Sequence, residues 1–425
     1  MRLLHTSDWH LGQSLHNFER HYEHQRFLDW LLDAIVAEQA DALLIAGDVY
    51  DNANPSAASQ KQLYRFLRQA KERAPHLNLI IIAGNHDSPG RLDAPGPLLE
   101  AHGTRVIGAV PRNADGEIDV ESMVLPLTGR SGQVEAWCLA VPFLRPGDVP
   151  RIAPPERADP DLGPPPATAP AADPYLAGIA LLYQQAFELA KSKQQDGQAI
   201  IAMGHCHMVD GQMSNDSERR IIIGGTEMLP TGIFDPAIAY AALGHLHLAQ
   251  SVGKQEHIRY CGSPLPLSFA ELNYAHQILR IDLDGAMVPM VREIAPVPVP
   301  RAVELLRVPS KPAPLPQVLE ELAALSPPEA PAEQQPYLEV RVLLEQPEPG
   351  LRARIEAALE GKPVRLAKIE TSTAARDLSI DKEVLTLDQL EKLKPDDIFK
   401  QLYQQRFGNE APADQLSAFA ELMLP

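Results

Sequence analysis

The hydrophobic pattern of the first 250 residues predicts alternating strands and helices. Five short, continuously apolar segments are typical of strands buried on both faces: 3–4, 42–46, 77–83, 199–203 and 238–243. Between the first three, apolar residues at helical spacing in 27–36 and 63–67 predict amphipathic helices. This alternation predicts an α/β fold, a layered domain with a largely buried sheet.

The rest of the chain predicts a smaller domain and a helical tail. Strand patterns at 258–264 and 277–282 close a first domain over 1–285, which carries a proline-rich loop at 151–174. A second proline-rich stretch, 295–316, marks the boundary to a domain over 296–375. Its pattern is β-α-β-α-β, with elements at 302–308, 318–325, 337–344, 351–359 and 364–370. Apolar residues at helical spacing in the tail, 380–425, predict helices that pack on their own domain or on a partner.

Composition narrows the class of protein. A chain of 425 residues suggests two or three domains. Its three scattered cysteines form no paired motif, which favours reduced thiols in a cytoplasmic protein. The early Asp8 leaves no room for a signal peptide, and no apolar stretch is long enough for a membrane span, so we expect no membrane association. A net charge of -18 argues against indiscriminate nucleic-acid binding and requires any contact with DNA to be local or assisted by a partner.

Side chains of the metal-ligand type follow all five predicted strands. They occur in Ser7-Asp8-Trp9-His10, Gly47-Asp48, Gly84-Asn85-His86-Asp87, Gly204-His205-Cys206-His207 and Gly244-His245-Leu246-His247. Ligands of buried α/β sheets gather beyond the carboxyl ends of the strands, so these groups are expected to converge. Such a set predicts a binuclear metal centre in an enzyme that cleaves phosphoesters.

The spacing of these residues indicates how they would share two metals. Asp8 and His10 are two residues apart and can reach one metal. Asp48 can place one carboxylate oxygen on each metal of a pair roughly 3.5 to 4 Å apart. Asn85 supplies a neutral oxygen, His205 an imidazole, and alternate imidazoles at His245 and His247 can reach different metals. Mixed oxygen and nitrogen ligands favour Mn or Fe, with Mg or Zn as alternatives, and we expect Mn.

Other residues near these motifs have less specific signals. His86 is a candidate to contact phosphate or protonate the leaving oxygen, with Asp87 orienting its ring. One metal pair cannot use every imidazole, so His207 is left out of the predicted ligands. Cys206 is compatible with zinc, although a buried thiol is more often inert. Arg91 and Arg145 are candidate DNA-phosphate contacts, and a solvated surface role is at least as common for such residues.

The motifs together resemble those of calcineurin-type metallophosphoesterases. The resemblance rests on four motifs: His5-Thr6-Ser7-Asp8-Trp9-His10-Leu11-Gly12, Gly47-Asp48, Gly84-Asn85-His86-Asp87 and Gly244-His245-Leu246-His247. The opening motif, Val141-Pro142-Phe143-Leu144-Arg145-Pro146 and the segment from Tyr260 to Phe269 further resemble the SbcD family, the nuclease subunits of bacterial SbcCD complexes. This resemblance extends over nearly the whole chain.

The resemblance implies a detailed site. One Mn²⁺ would be held by Asp8, His10, Asp48 and His247, and the second by Asp48, Asn85, His205 and His245. His86 would be the catalytic histidine. Archaeal and eukaryotic relatives carry a further histidine shortly after the Gly-Asp motif, where this chain has Asp51, so the role of that histidine is not carried over.

The family also implies partners and a substrate. The small domain would cap the active site and help to contact DNA, and the tail would bind the coiled coil of an SbcC-type ATPase. The nuclease subunits would form a homodimer within a two-plus-two complex. The implied activity is 3' to 5' cleavage of double-stranded DNA ends and endonucleolytic cleavage of hairpins and single strands, in DNA replication, recombination and repair. Two alternatives stay open: a phosphodiesterase for small nucleotides and a catalytically inactive scaffold that tethers an ATPase to DNA.

Overall fold

The structure, a computed structural model, describes most of the chain. The described residues are 1–151, 173–209, 211–212, 228–284, 291–344, 346–373, 399–400, 402–404, 408–413, 415–416 and 419. Most of the predicted loop at 151–174 and most of the predicted tail at 380–425 therefore lie outside the described residues. The described residues divide into two compact units, Met1–Ala302 and Val303–Pro425.

The elements of the described residues follow one another in a mixed α/β order. The strands are β1 (Arg2–Thr6), β2 (Ser14–Leu15), β3 (Phe18–Glu19), β4 (Ala42–Ala46), β5 (Asn78–Ile82), β6 (Thr104–Ile107), β7 (Val124–Thr128), β8 (Val134–Ala140), β9 (Ala199–His205), β10 (Tyr240–Gly244), β11 (Gln250–Val252), β12 (Gln255–Tyr260), β13 (Gln277–Leu283), β14 (Val291–Pro298), β15 (Leu305–Pro314), β16 (Tyr337–Leu344) and β17 (Arg365–Thr373). The helices are α1 (His21–Ala37), α2 (Ala57–Arg73), α3 (Pro89–Asp93), α4 (Gly96–Glu100), α5 (Pro174–Lys193), α6 (Leu315–Ala324) and α7 (Leu351–Ala358).

Two six-stranded sheets form the first unit. One has the strand order β14-β13-β1-β4-β5-β6, and the other has the order β11-β12-β10-β9-β8-β7. In the first sheet β1, β4, β5 and β6 are parallel, and in the second β8, β9, β10 and β12 are parallel. The carboxyl ends of each parallel set lie at one edge of its sheet, which is where the ligand-bearing loops begin.

The faces of β4 show how the layers are stacked. Leu44 belongs to a buried core that also contains Ile201 of the second sheet, whereas Leu43 belongs to a core with Phe27 of α1 and Phe66 of α2. Helix α5 contacts β7, β8 and β9 on the second sheet. The first unit is thus a helix–sheet–sheet–helix sandwich. The expected layered α/β domain is confirmed, with two sheets where the sequence pattern predicted one.

The predicted end of the first domain at 285 is too early. Strand β14 pairs antiparallel with β13, from Gln277↔Pro298 to Leu283↔Val291, and therefore belongs to the first sheet. Prolines such as Pro296 suggested a linker in the sequence. They are accommodated because β14 is an edge strand, where a missing backbone N–H does not break the sheet.

The second unit has a three-stranded parallel sheet, β15-β16-β17. Parallel neighbours need a crossover, and α6 and α7 provide the two crossovers. Val318, Leu322 and Ile355 of these helices share one core with Leu338 and Val340 of β16. The β-α-β-α-β order is the one predicted from the sequence. Among the described residues, no helix is long and apolar enough to cross a membrane.

Candidate metal centre

The ligand-bearing loops of the two sheets meet at one place. Asp8 follows β1 and donates its backbone N–H to the carbonyl of Gly47 after β4, at 3.0 Å. His245, directly after β10 of the other sheet, donates its backbone N–H to the Asp8 carboxylate at 3.1 Å. His205 ends β9 and lies beside Gly244 in the strand register. The convergence expected from strand order is therefore present.

Several of these residues have an unusual backbone conformation. The φ angles are 55° at Asp8, 46° at His10, 48° at Asp48 and 105° at His245. Such angles are costly for residues with a Cβ, at about 1–3 kcal/mol each. Four of them within one site indicate that the surrounding fold holds these side chains in place at the expense of stability.

Glycines next to the ligands make their close approach possible. A Cβ at Gly84 would lie 2.1 Å from Oδ1 of Asp48, and one at Gly244 would lie 1.9 Å from the carbonyl oxygen of Ala46. Gly47, at a φ of 91°, would place a Cβ 2.3 Å from Nδ1 of His205. These distances are far below van der Waals contact, so any other residue would push the loops apart.

Two groups of buried ligand atoms share this space. Within each group the atoms lie within 4.8 Å of one another, and the groups are Asp8, His10 and His247, and Asp48, His205 and His245. A third group, in which the half-buried His86 joins His10 and Asp48, overlaps both. Asp48 lies between them, because its Oδ2 is 3.6 Å from Nε2 of His10 and 3.4 Å from Nε2 of His205. The structure thus brings together six of the seven predicted ligands and gives Asp48 a bridging position.

Asn85, the seventh predicted ligand, faces the second group. Its Oδ1 is 2.9 Å from Nε2 of His205 and 3.1 Å from Nδ1 of His245. Three ligand-type atoms from three different loops therefore point at one another. Since an amide oxygen cannot donate, it is suited to accept from these imidazoles or to bind a cation.

The donor set fits divalent metal ions. Nε2 of His10 and Nε2 of His245 are buried without a hydrogen-bond partner among the described residues, and burying a polar atom in this way is costly. The burial of Asp48 opposes its ionisation, yet neighbouring His205, with His10 and His86, lowers its pKa below the ordinary value. A buried carboxylate flanked by imidazoles, without thiolate, is suited to Mn, Fe, Zn or Mg.

The outer nitrogens of three imidazoles are also fixed. Nδ1 of His247 lies 2.8 Å from Oε1 of Glu271, Nδ1 of His205 lies 2.9 Å from the carbonyl of Ala46, and Nδ1 of His10 lies 3.4 Å from Oδ1 of Asp51. Such contacts set the ring orientation and leave Nε2 to face the centre.

Glu271 is not among the site residues predicted from the sequence. It is fully buried in a 3-10 turn, Phe269–Glu271, and its second oxygen accepts the backbone N–H of Leu267 at 2.7 Å. No spacing rule connects it to His247, which is 24 residues earlier. The only available signal was a single acidic residue within an otherwise apolar segment.

His86 lies at the open side of the centre. It is half-buried, its ring centroid is 4.8 Å from that of His10, and its backbone N–H donates to Oδ1 of Asp48 at 2.9 Å. Its Nδ1 is 2.7 Å from the carbonyl oxygen of Asp51. Because a carbonyl only accepts, this nitrogen carries the proton of the neutral ring, and Nε2 gains one when the ring becomes charged.

Asp87 has a different role from the predicted one of orienting His86. Its carboxylate accepts the backbone N–H groups of Gly84 at 2.9 Å, Val49 at 3.1 Å and Tyr50 at 2.9 Å. Burial, with the nearby charge of Asp48, raises the pKa of Asp87 to about 6. Asp87 therefore joins the loop after β4 to the loop after β5 and positions Asp48 through the backbone.

The next residues of the His205 motif lie at the edge of the centre. The ring centroid of His207 is 6.1 Å from that of His245, and His207 belongs to none of the ligand groups found among the described residues. Burial raises the pKa of the Cys206 thiol to about 12, and its sulfur lies 3.6 Å from that of Met208. A protonated thiol in apolar surroundings is unreactive.

The two candidate arginines differ in their surroundings. Arg91 is exposed in α3, whereas Arg145 is half-buried with its guanidinium carbon 5.2 Å from the ring centroid of Phe143. The ring of Phe143 in turn approaches that of His205 edge-on, at 6.3 Å between centroids. Arg145 is thus connected to the centre through one aromatic ring, and no such contact is seen for Arg91 among the described residues.

Comparison with known proteins places this arrangement in a family. Residues 1–249 match the calcineurin-like phosphoesterases, and residues 301–407 match the family described as type 5 capsule protein repressor C-terminal domain. Curated relatives include three proteins named as the SbcD component of the SbcCD nuclease. The one from Rhodobacter capsulatus is 39% identical over 86% of both chains, the one from Escherichia coli K12 is 31% identical over 89% of this chain and 86% of its own, and the one from Bacillus subtilis is 34% identical over 66% of both.

Proposed function

This chain belongs to the SbcD family of calcineurin-like phosphoesterases and is a metal-dependent nuclease of that family, and from this premise we propose that it is a Mn²⁺-dependent DNA nuclease. It would cleave double-stranded ends from 3' to 5' and cut hairpins and single strands internally. The observation that carries the proposal is the pair of buried ligand groups that share Asp48.

Two Mn²⁺ ions are the proposed cofactors, with Mg²⁺ or another divalent metal as the alternative. One would be held by Asp8, His10 and His247 and the other by Asn85, His205 and His245, with Asp48 bridging them. Divalent ions bound there would lower the pKa of water and neutralise charge on the phosphate. Six of the seven side chains that would hold them are buried, Asn85 being the partly buried one, and all are prearranged, so little reorganisation is required when substrate binds.

His86 is the proposed catalytic side chain. Its Nδ1 is fixed by the carbonyl of Asp51, so its Nε2, when protonated, can donate to the oxygen that leaves phosphorus. Its backbone N–H contacts Asp48, which keeps the ring beside the ligand groups. Asp87 contributes indirectly, because it holds the backbone that carries Asp48.

Contact with DNA is proposed to be local. The chain carries a net charge of -18, so its surface as a whole repels phosphate. Arg145 is the better placed of the two candidate arginines, because it stacks on Phe143 next to His205. Arg91 would contact phosphate from the exposed face of α3. The second unit, with its three-stranded sheet, is proposed to add further contacts.

An SbcC-type ATPase is the proposed partner. The relatives are named as one component of the SbcCD nuclease, which supports a second component for this chain. The described part of the tail pairs Phe399 with Phe419, stacked at 4.4 Å between centroids, and leaves Leu402 58% exposed. An exposed leucine of this kind is suited to pack on a coiled coil. A homodimer within a two-plus-two complex is proposed on family grounds.

Cleavage of a labelled DNA hairpin with Mn²⁺, with and without the ATPase and ATP, tests the proposal. The wild-type chain is expected to cut, Asp48→Ala and His86→Ala are expected to lose at least about 100-fold in rate, and His257→Ala, on β12 away from the ligand groups, serves as the control. Equal cutting by wild type and Asp48→Ala would refute the metal site. Hydrolysis of small phosphodiesters without cleavage of any DNA would favour the small-nucleotide phosphodiesterase, and absence of both activities would favour the inactive scaffold.

A further inference from the structure

The carboxylates behind the ligand imidazoles are distributed unevenly over the centre. We call the group Asp8, His10 and His247 position A and the group Asn85, His205 and His245 position B, and Asp48 is shared. We propose that position A binds its cation more tightly than position B, because Glu271 and Asp51 lie behind its two imidazoles. This inference rests on the two-cation centre of the proposed function.

Glu271 provides the stronger of the two contacts. Its side chain is fully buried, and its two oxygens are divided between Nδ1 of His247 at 2.8 Å and the backbone N–H of Leu267 at 2.7 Å. A carboxylate that accepts from the outer nitrogen of an imidazole makes the inner nitrogen a better electron donor. Since both oxygens of Glu271 are engaged, His247 has one ring orientation, with Nε2 directed at position A.

Asp51 plays the corresponding part for His10. Its Oδ1 lies 3.4 Å from Nδ1 of His10, and its side chain is 32% exposed, so this contact is longer and more solvated. The backbone carbonyl of the same residue accepts from Nδ1 of His86 at 2.7 Å. Asp51 therefore positions a ligand of position A with its side chain and the proposed catalytic ring with its backbone.

Position B has no comparable support among the described residues. Nδ1 of His205 faces a neutral backbone carbonyl, that of Ala46, at 2.9 Å. Nδ1 of His245 faces Asn85, a neutral member of the same position, and its Nε2 has no hydrogen-bond partner among the described residues. The outer nitrogens of the position B imidazoles thus face neutral carbonyl and amide oxygens, whereas those of position A face charged carboxylates.

The charge difference reinforces this ordering. Apart from the shared Asp48, position A contains the carboxylate of Asp8 and has two more carboxylates behind it, whereas position B contains only neutral ligands. In a buried site each negative charge a few ångströms away contributes appreciably to the binding of a divalent cation. Loss of a carboxylate behind a ligand imidazole typically weakens metal binding by about 10-fold to 100-fold.

Calorimetric titration of metal-free protein with MnCl₂, with free Mn²⁺ counted by electron paramagnetic resonance, tests the ordering. Wild type is expected to bind two ions in two steps of unequal affinity. Glu271→Gln and Asp51→Asn keep the size of each side chain and remove its charge, and each should weaken the tighter step by about 10-fold or more. Asn85→Ala should weaken only the looser step. Asp93→Asn, a half-buried carboxylate that accepts backbone N–H groups of Gly108 and Ala109, is the control.

The outcomes separate this inference from the proposed function. If wild type binds two ions and cuts DNA but Glu271→Gln and Asp51→Asn leave the tighter step unchanged, or Asn85→Ala weakens that step, the ordering is overturned and the nuclease stands. If wild type binds no ions, both are overturned. Should Glu271→Gln not fold, Asp51→Asn decides, because its side chain is partly exposed and its loss does not disturb the core.

Discussion

Replacing Gly84 with alanine tests how closely the two loops of the centre must approach. The Cβ of Gly84→Ala would lie 2.1 Å from Oδ1, 2.3 Å from the backbone N and 2.7 Å from Cγ of Asp48. All three atoms belong to the residue that bridges the two ligand groups. The substitution therefore acts on the centre without removing any ligand.

The size of the effect follows from these distances. Non-bonded carbon atoms ordinarily stay at least about 3.5 Å from their neighbours, so the bridging carboxylate must move by more than about 1 Å. The loop cannot easily absorb this shift, because Asp87 joins the backbone of Gly84 to that of Val49. A displacement of about 1 Å in a prearranged site costs about 100-fold in rate, and the overpacking should destabilise the fold by about 1–3 kcal/mol.

The assay is Mn²⁺-dependent hairpin cleavage at saturating metal, combined with denaturant unfolding. Gly90→Ala is a matched control six residues away, because a Cβ there would meet nothing within 4 Å. Gly90→Ala should retain wild-type cleavage and equal or greater stability. If Gly84→Ala cut DNA at the wild-type rate, the close packing of the two loops would not be needed and the reasoning would be wrong.

Three further predictions concern stability. Asp87→Ala removes the acceptor of three backbone N–H groups and should lower the free energy of unfolding by about 3 kcal/mol. Urea titration measures this change, and an unchanged free energy of unfolding would contradict the structural role of Asp87. Burial lowers the pKa of His5 to about 3 in the folded chain. As the pH decreases, His5 is therefore protonated in the unfolded chain before it is protonated in the folded chain, and the free energy of unfolding should fall below about pH 6.5. His5→Gln should reduce that slope by up to about 1.4 kcal/mol per pH unit, and an unchanged slope would exclude the effect. Chelation should lower the melting temperature of wild type but not of Asp48→Ala, and added Mn²⁺ should restore it; an equal response of the two would place the bound metal elsewhere.

The sequence was informative about elements and about which side chains would converge. The apolar segments at 42–46, 199–203 and 238–243 became strands β4, β9 and β10, with differences of at most two residues at their ends. Strand order alone placed the ligand-bearing loops at one edge, because parallel strands end on the same side. The β-α-β-α-β order of the second unit followed from periodicity in the same way.

The sequence was less informative about long-range contacts. An apolar strand does not indicate which of two sheets it joins, so the two-sheet sandwich was not predicted. The prolines of β14 resembled a linker, since the edge position that tolerates them is a property of the folded sheet.

The same limit applies to the support of the site. Glu271 reaches His247 across a turn with no fixed spacing, and Asp87 bonds to backbone atoms of another loop. In the sequence, Asp51 was notable only because archaeal and eukaryotic relatives carry a histidine at that place. Its contacts with His10 and His86 depend on the fold of the loop after β4. Side chains that act through another residue leave no pattern in the sequence.

The central claim is that two cations share Asp48 between the two sheets. Anomalous diffraction at the manganese edge, from crystals soaked in saturating MnCl₂, tests it most directly. We expect two peaks roughly 3.5 to 4 Å apart with the carboxylate of Asp48 between them. A single peak, or two peaks of which neither contacts Asp48, in crystals of protein that cleaves DNA would contradict the account.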